Sequence, residues 1–282
     1  MKRLTTVWAI ISILITAEYA ALHFAPQLSF ALLLQRYFKI RGNLTPEPGR
    51  VLSLTMGWLG LTFILLTNPY ILRKKWLVIK GFGTLNGWLN FHIFAGLLGP
   101  TLIVFHCDFR ARGLVGLSFW SMLIVVGSGL VGRYLYVQII RQENTLATVT
   151  KDLSATLEDQ RSGASPEISV DEMTRAKVLA LTFVGLPGDE RMAQLSLVQI
   201  LLNSVRGDLR LLFSGPQVPV GLPTSSRKTL AGYALARRQI AFLASFRKML
   251  GYWHAFHLPF AFVMYALAAI HVTTALLFAS GV

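Results

Sequence analysis

The sequence contains one cysteine, Cys107, among 282 residues. An internal disulfide is therefore excluded. The absence of any C-x-x-C argues against an iron–sulfur cluster or a zinc site. With no C-x-x-C-H, covalent attachment of a c-type haem is excluded as well. Acidic residues are scarce, with 13 Asp and Glu against 27 Lys and Arg, and charged residues make up only 14% of the chain. No G-x-G-x-x-G follows a strand-like run, so a dinucleotide-binding domain is not expected. No internal repeat of 20–50 residues and no low-complexity tract is present. The net charge of +14 raises nucleic acid as a partner. Basic patches interleaved with aromatics are missing, however, and no nucleic acid is expected. Membrane topology and anionic lipid account for the excess instead.

What the chain has in abundance is apolar residue, 54% of the total and strongly clustered. Five windows reach the roughly 20 residues needed to cross a hydrocarbon core. They run over 5–24, 50–72, 87–107, 114–138 and 255–279. The expected fold class is an all-α integral membrane protein. It is a bundle of about five transmembrane helices with a cytoplasmic helical insertion between spans four and five. Residues 1–138 hold spans one to four, 139–250 the insertion and 251–282 the fifth span. The first window follows Met1-Lys2-Arg3 and ends in TAEYAALHFA. That end has no clean small-x-small cleavage site, so the window reads as a retained span.

The expected orientation places the N-terminus in the cytoplasm. Arg73, Lys74, Lys75 and Lys80 then follow span two on the inner side, and Arg141 follows span four. Arg36, Lys39, Arg41, Arg50, Arg110 and Arg112 stay outside. The expected location is the inner membrane of a bacterium. Within the insertion, 191–213 has helical apolar spacing interrupted by Arg206, Asp208 and Arg210. It reads as an amphipathic helix that could lie on the membrane. RSGASPEISVDE and SGPQVPVGLPTSS read as loops, and a basic helix over about 228–250 leads into the last span.

Histidine is costly inside a bilayer, yet four lie within these windows. His92 and His106 are fourteen residues apart in the third, and His257 and His271 are fourteen apart in the fifth. At about 100° per residue, fourteen residues fall about 40° short of four turns, so each pair shares a face. The rise is about 21 Å per pair, which puts one histidine near each side of the bilayer. Spans three and five are separated by one span and run parallel. His92 is then level with His257, and His106 with His271. A histidine that only bridges two helices is the ordinary alternative for any one of them. Matched spacing and matched depth instead suit two bis-histidine haem sites, stacked across the membrane. Gly96 and Gly99 lie on the ligand face of span three, with Gly99 midway. Ala261 and Ala268 lie on the matching face of span five, around Met264.

Paired histidines at this spacing resemble the dihaem membrane cytochromes b. Their placement on spans three and five is similar to the ferric reductase-like transmembrane family, which includes the NADPH oxidases. The likeness covers roughly 50–138 and 250–279. It implies that His92, His106, His257 and His271 ligate two b-type haems that pass electrons across the membrane. Family members often add a flavin and nicotinamide domain. Here the sequence ends three residues after the fifth window, and about 110 residues stand between spans four and five. The electron donor is therefore expected to be another subunit, a soluble reductase or a quinol. The 139–250 insertion is its expected docking surface, and the acceptor lies on the outer side.

The remaining candidates each carry two readings. Arg133, at the end of GSGLVGR, could hold a haem propionate or anchor the span as an ordinary positive-inside residue. Gly127, Gly129 and Gly132 suit close helix packing. Glu18 and His23 in span one could move protons at a quinone site or be plain hydrogen-bonding groups. His254, three residues before His257, is expected to be interfacial or to support a ligand. Asp108, Arg110 and Arg112 could meet propionates or guide an acceptor, or form a solvated loop.

The expected function is a dihaem cytochrome b subunit, the electron-transfer part of an oxidoreductase. It carries electrons between a cytoplasmic or quinol donor and an outer acceptor. Two alternatives stay open: a quinone-reactive cytochrome b, and a membrane anchor or assembly protein without haem.

Overall fold

The computed structural model describes residues 2–38, 49–75, 83–110, 112–161, 195–214 and 224–279, with isolated positions at 44, 47, 181 and 186. The regular structure of these residues is entirely helical. In chain order the helices are α1 (Lys2–Phe24), a short 3-10 turn (Pro26–Leu28), α2 (Phe30–Phe38), α3 (Val51–Leu65), α4 (Pro69–Lys75), α5 (Leu85–His106), α6 (Gly113–Arg161), α7 (Leu197–Ser214) and α8 (Thr224–Ala279). Five helical stretches are long and apolar enough to cross a membrane: Arg3–Phe24, Val51–Lys74, Leu85–His106, Val115–Ile140 and Ala231–Phe278.

Two compact units divide the chain. The first comprises Met1–Gly129 with His257–Val282, and the second Leu130–Phe256. Helices α6 and α8 each contribute to both. The basic helix expected over 228–250 and the fifth span are one uninterrupted helix, α8. Helix formers such as ALARRQIAFLASFRKML fill its first half, and Gly251 at their end is not enough to stop it. Pro259 lies in its interior, a position membrane helices tolerate. The loops expected over RSGASPEISVDE (161–172) and SGPQVPVGLPTSS (214–226) lie mostly outside the described residues, and their described ends, Arg161, Ser214 and 224–226, are helical instead.

In the first unit, α3 and α5 pack closely because glycines meet at their crossing. A Cβ added to Gly99 would stand 2.9 Å from Gly60 O and 2.8 Å from Ile64 Cγ1. One added to Gly60 would stand 3.0 Å from Gly99 O. Small residues let membrane helices approach backbone to backbone, where dispersion replaces a hydrophobic driving force. Thr84 caps α5 by accepting from Gly87 N at 3.1 Å. Ile64, Met122 and Met264 form a buried cluster joining α3, α6 and α8.

The second unit is built on Leu135, Ile200, Ala234, Phe242 and Phe246 from α6, α7 and α8. Helix α7 begins at Leu197, later than the periodicity suggests, because Ser196 and Gln199 form a reciprocal cap. Gln199 N donates to Ser196 Oγ at 3.3 Å, and Ser196 N donates to Gln199 Oε1 at 2.9 Å. Asp208 does not sit on a polar surface. It pairs with Arg238, whose side chain is 2% exposed. It also accepts from Tyr134 Oη at 2.8 Å and Gln138 Nε2 at 2.6 Å.

A buried cation stripped of its counter-charge is costly, on the order of 3–5 kcal/mol. Asp208→Ala is therefore expected to destabilise the second unit strongly. Asp208→Leu with Arg238→Met is expected to recover most of the loss. Thermal unfolding in detergent, followed by tryptophan fluorescence, reads both; equal melting of the single and double variants would contradict this account.

Candidate functional site

Proline at position 69 creates the first part of the site. It has no N–H, so the helix begun at Val51 cannot continue its ladder through Leu65 O. The turn 66–68 follows, and the chain restarts as α4. Local groups take up the released carbonyls. Asn68 Nδ2 donates to Leu65 O at 3.1 Å, and Thr67 Oγ1 donates to Ile64 O at 2.7 Å. Tyr265 Oη from α8 also donates to Ile64 O, at 2.9 Å, and accepts from Asn68 Nδ2 at 3.0 Å. Thr67 O accepts from the ring of His92, its Nδ1 at 2.9 Å. A carbonyl can only accept, so Nδ1 carries the proton and Nε2 the lone pair.

The same arrangement recurs at the other end of α3. His106 Nδ1 lies 2.8 Å from Ser53 O, which again fixes the proton on Nδ1. Ser53 is 1% exposed, and its hydroxyl donates to His106 O at 2.9 Å. That carbonyl ends α5 and has no partner within its own helix. Gly57 makes room for the imidazole. A Cβ there would stand 2.7 Å from His106 Nδ1 and 2.8 Å from Cε1.

On α8, His257 Nδ1 lies 2.7 Å from Ser128 Oγ of α6. The single hydroxyl hydrogen of Ser128 goes to Val125 O at 2.9 Å. With its hydroxyl donating to Val125 O, Ser128 accepts from His257 Nδ1, and in that arrangement the lone pair falls on Nε2. Gly129 lies close by, with a Cβ position 3.8 Å from His257 Cε1.

His106 and His271 come together across α5 and α8, with ring centres 6.4 Å apart and planes inclined at 59°. Two metal–imidazole bonds of about 2 Å each, laid end to end, require ring centres about 6 Å apart. The observed spacing leaves room for one metal ion between the two rings. The backbone anchoring of His106 Nδ1 is the arrangement that ligating histidines adopt. Among the described residues no three His, Cys, Asp or Glu side chains cluster. The donor set at this level is thus a pair of imidazoles, which fits the two axial positions of haem iron. For His92 and His257 the structure fixes the rings through Thr67 and Ser128.

The other expected residues are placed as follows. Gly99 meets Gly60 and Ile64 of α3, and the nearest atom to a Cβ on Gly96 is Thr67 Cγ2 at 3.8 Å. Met264 is buried against Ile64 and Met122. Arg133 belongs to the second unit. Its guanidinium lies 5.6 Å from the Tyr136 ring centre, and its Nε is buried with no hydrogen-bond partner among the described residues. A side chain on Gly132 would run into the Trp253 indole, so this glycine serves packing. The His254 ring is exposed and lies 5.9 Å from that of Trp253.

Glu18 organises the start of α2. It accepts from Ser29 Oγ at 2.5 Å, Phe30 N at 3.0 Å and Ala31 N at 3.0 Å. A carboxylate on the first amides of a helix is a stabilising cap, and both of its oxygens take part here. Asp108 ties span one to the turn after α5. It accepts from Tyr19 Oη and pairs with Arg110 at 3.1 Å and His23 Nε2 at 3.7 Å. Asp108 and Phe109 both have positive φ, 50° and 57°.

Ser53, Gly57, Gly60, Thr67, Ser128 and Tyr265 complete the site and are not singled out by the sequence reading. A signal for three of them exists. Ser53 and Thr67 are fourteen apart with Gly60 midway, the same spacing as His92 and His106 around Gly99, and Pro69 marks where a carbonyl is released. Among known proteins, no family model, no curated protein and no solved structure matches this chain.

Glu18→Ala is expected to loosen α2 by about 1 kcal/mol or more. Limited proteolysis should then cut faster between residues 25 and 50, while cleavage elsewhere is unchanged. An unaltered cleavage pattern would remove Glu18 from this capping role.

Proposed function

We propose that the protein is a membrane electron conduit holding two b-type haems, one between His92 and His257 and one between His106 and His271. The observation that carries this reading is the 6.4 Å approach of the His106 and His271 rings, with His106 Nδ1 tied to a backbone carbonyl. Haem held there would supply reversible one-electron chemistry.

The chain's own residues do the rest. His92, His106 and His257 present Nε2 lone pairs because Thr67 O, Ser53 O and Ser128 Oγ hold their Nδ1 protons. These second partners set ring orientation and make the imidazoles stronger donors. Gly57 leaves space for the His106 ring, and Tyr265 braces the Thr67 turn from α8. The apolar helices around the rings exclude water, which lowers the energy of reorganisation when charge arrives and leaves. The four ligands lie on two candidate spans, and each pair on one helix is fourteen residues apart, about 21 Å of rise, so electrons move across the membrane rather than along it.

In this reading the N-terminus is cytoplasmic, in a bacterial inner membrane. A separate reductase subunit or a quinol delivers electrons near His92 and His257, with 139–250 as the docking surface. An outer acceptor takes them near His106 and His271. Glu18 lends no support to a quinone site, since its oxygens are engaged at α2.

The test is a reduced-minus-oxidised spectrum of the detergent-purified protein with a pyridine haemochrome assay. About two low-spin b haems per chain are expected, falling to about one in His106→Ala. Protein expressed with ample haem yet purified without a Soret band would overturn the proposal.

A further inference from the structure

Three of the four histidine rings have an anchor on Nδ1, and the fourth differs. Thr67 O holds His92, Ser53 O holds His106 and Ser128 Oγ holds His257, at 2.9, 2.8 and 2.7 Å. Among the described residues nothing hydrogen-bonds to the His271 ring. The side-chain bond at this residue goes to its backbone instead, from Thr274 Oγ1 to His271 O at 2.9 Å. The ring's recorded neighbour is His106. His271 also stands about two turns from the end of α8 at Ala279, and every residue from Thr273 to Phe278 is exposed. Helix ends of this kind open locally more readily than helix centres.

We propose that His271 is an exchangeable ligand. In the reduced protein it yields its place to a small neutral diatomic molecule of the carbon monoxide class, while the His92/His257 pair stays closed. This rests on the haem reading above. An outer partner on Nδ1 contributes about 10–100-fold to metal affinity, and among the described residues His271 lacks the one that the other three have. The partner also governs return. A ring anchored at Nδ1 stays in place when its metal bond breaks and rebinds at once. An unanchored ring turns about its side-chain torsions and leaves the position open. His106, on the opposite side of the same iron, is held by Ser53 O and stays. The exchange balances simply: His271 departs as neutral imidazole with its electron pair, the incoming ligand donates a pair in its place, and no proton or net electron moves.

This gives the site a second capacity. A conduit with two closed irons can only pass electrons on by contact at the haem edge. One with an exchangeable outer ligand also binds diatomic gases, and its outward electron transfer becomes sensitive to them.

The test is a carbon monoxide titration of the dithionite-reduced, haem-loaded protein, read as a difference spectrum. About half of the haem is expected to react. In His271→Ala the reactive half should already be high-spin before carbon monoxide is added, and uptake should stay at half. Should that variant fail to fold, His257→Ala serves instead, and uptake should rise from half to all. Uptake by none or all of the wild-type haem overturns the proposal. So does a rise to full uptake in His271→Ala, or no rise in His257→Ala, because either places the reactive iron at the other pair. Haem without uptake sinks this inference alone, whereas protein without haem sinks the conduit reading first.

Discussion

The contact between Gly60 and Gly99 governs the histidine geometry. With no side chain at either position, α3 and α5 approach until the carbonyl of one glycine reaches the Cβ position of the other. Ser53 and Thr67 stand seven residues to either side of Gly60, and His106 and His92 seven to either side of Gly99. Seven residues are close to two helical turns, so both ends of each helix repeat the facing set at the middle. Close approach at the centre thereby delivers a carbonyl to each imidazole at the ends. A larger residue at the crossing would push the helices apart and stretch both hydrogen bonds together.

The two ends reach the same result by different backbone routes. At Thr67 the helix has stopped, because Pro69 offers no N–H, and a terminal carbonyl is available to accept from His92. At Ser53 the helix has just begun, and its carbonyl takes on the His106 ring while its hydroxyl caps the end of α5. Tyr265 adds a link from α8 to the Thr67 turn, so that turn is braced from the helix that carries His257 and His271.

The helical architecture was legible because apolar runs of spanning length are a compositional signal needing no tertiary information. Each of the five expected windows lies, to within a residue or two at its ends, inside a helical stretch of the structure, the second of them broken by the turn at 66–68. One pairing was legible too: equal fourteen-residue spacings match His106 with His271, and those two rings do meet. What could not be read was direction. Gly99 shares a face with both histidines, but periodicity does not say which neighbour that face meets, and it meets α3. For Glu18 the sequence leaves open a proton-handling role and a plain hydrogen-bonding one. Its task is local, and it depends on a chain reversal at 25–29 that periodicity cannot reveal. Asp208 interrupts an amphipathic pattern in sequence, yet in three dimensions it meets Arg238 from the following helix.

The anchors also differ in how they withstand mutation. Thr67 and Ser53 hold their histidines through main-chain oxygens, which every amino acid possesses. Substitution at those positions can change packing without deleting the acceptor. Ser128 holds His257 through its side chain, and one nucleotide change is enough to remove it. Sequence drift in this protein should therefore be freer at 67 than at 128. Residue variability alone would then rank the two positions differently in importance, although they perform the same task.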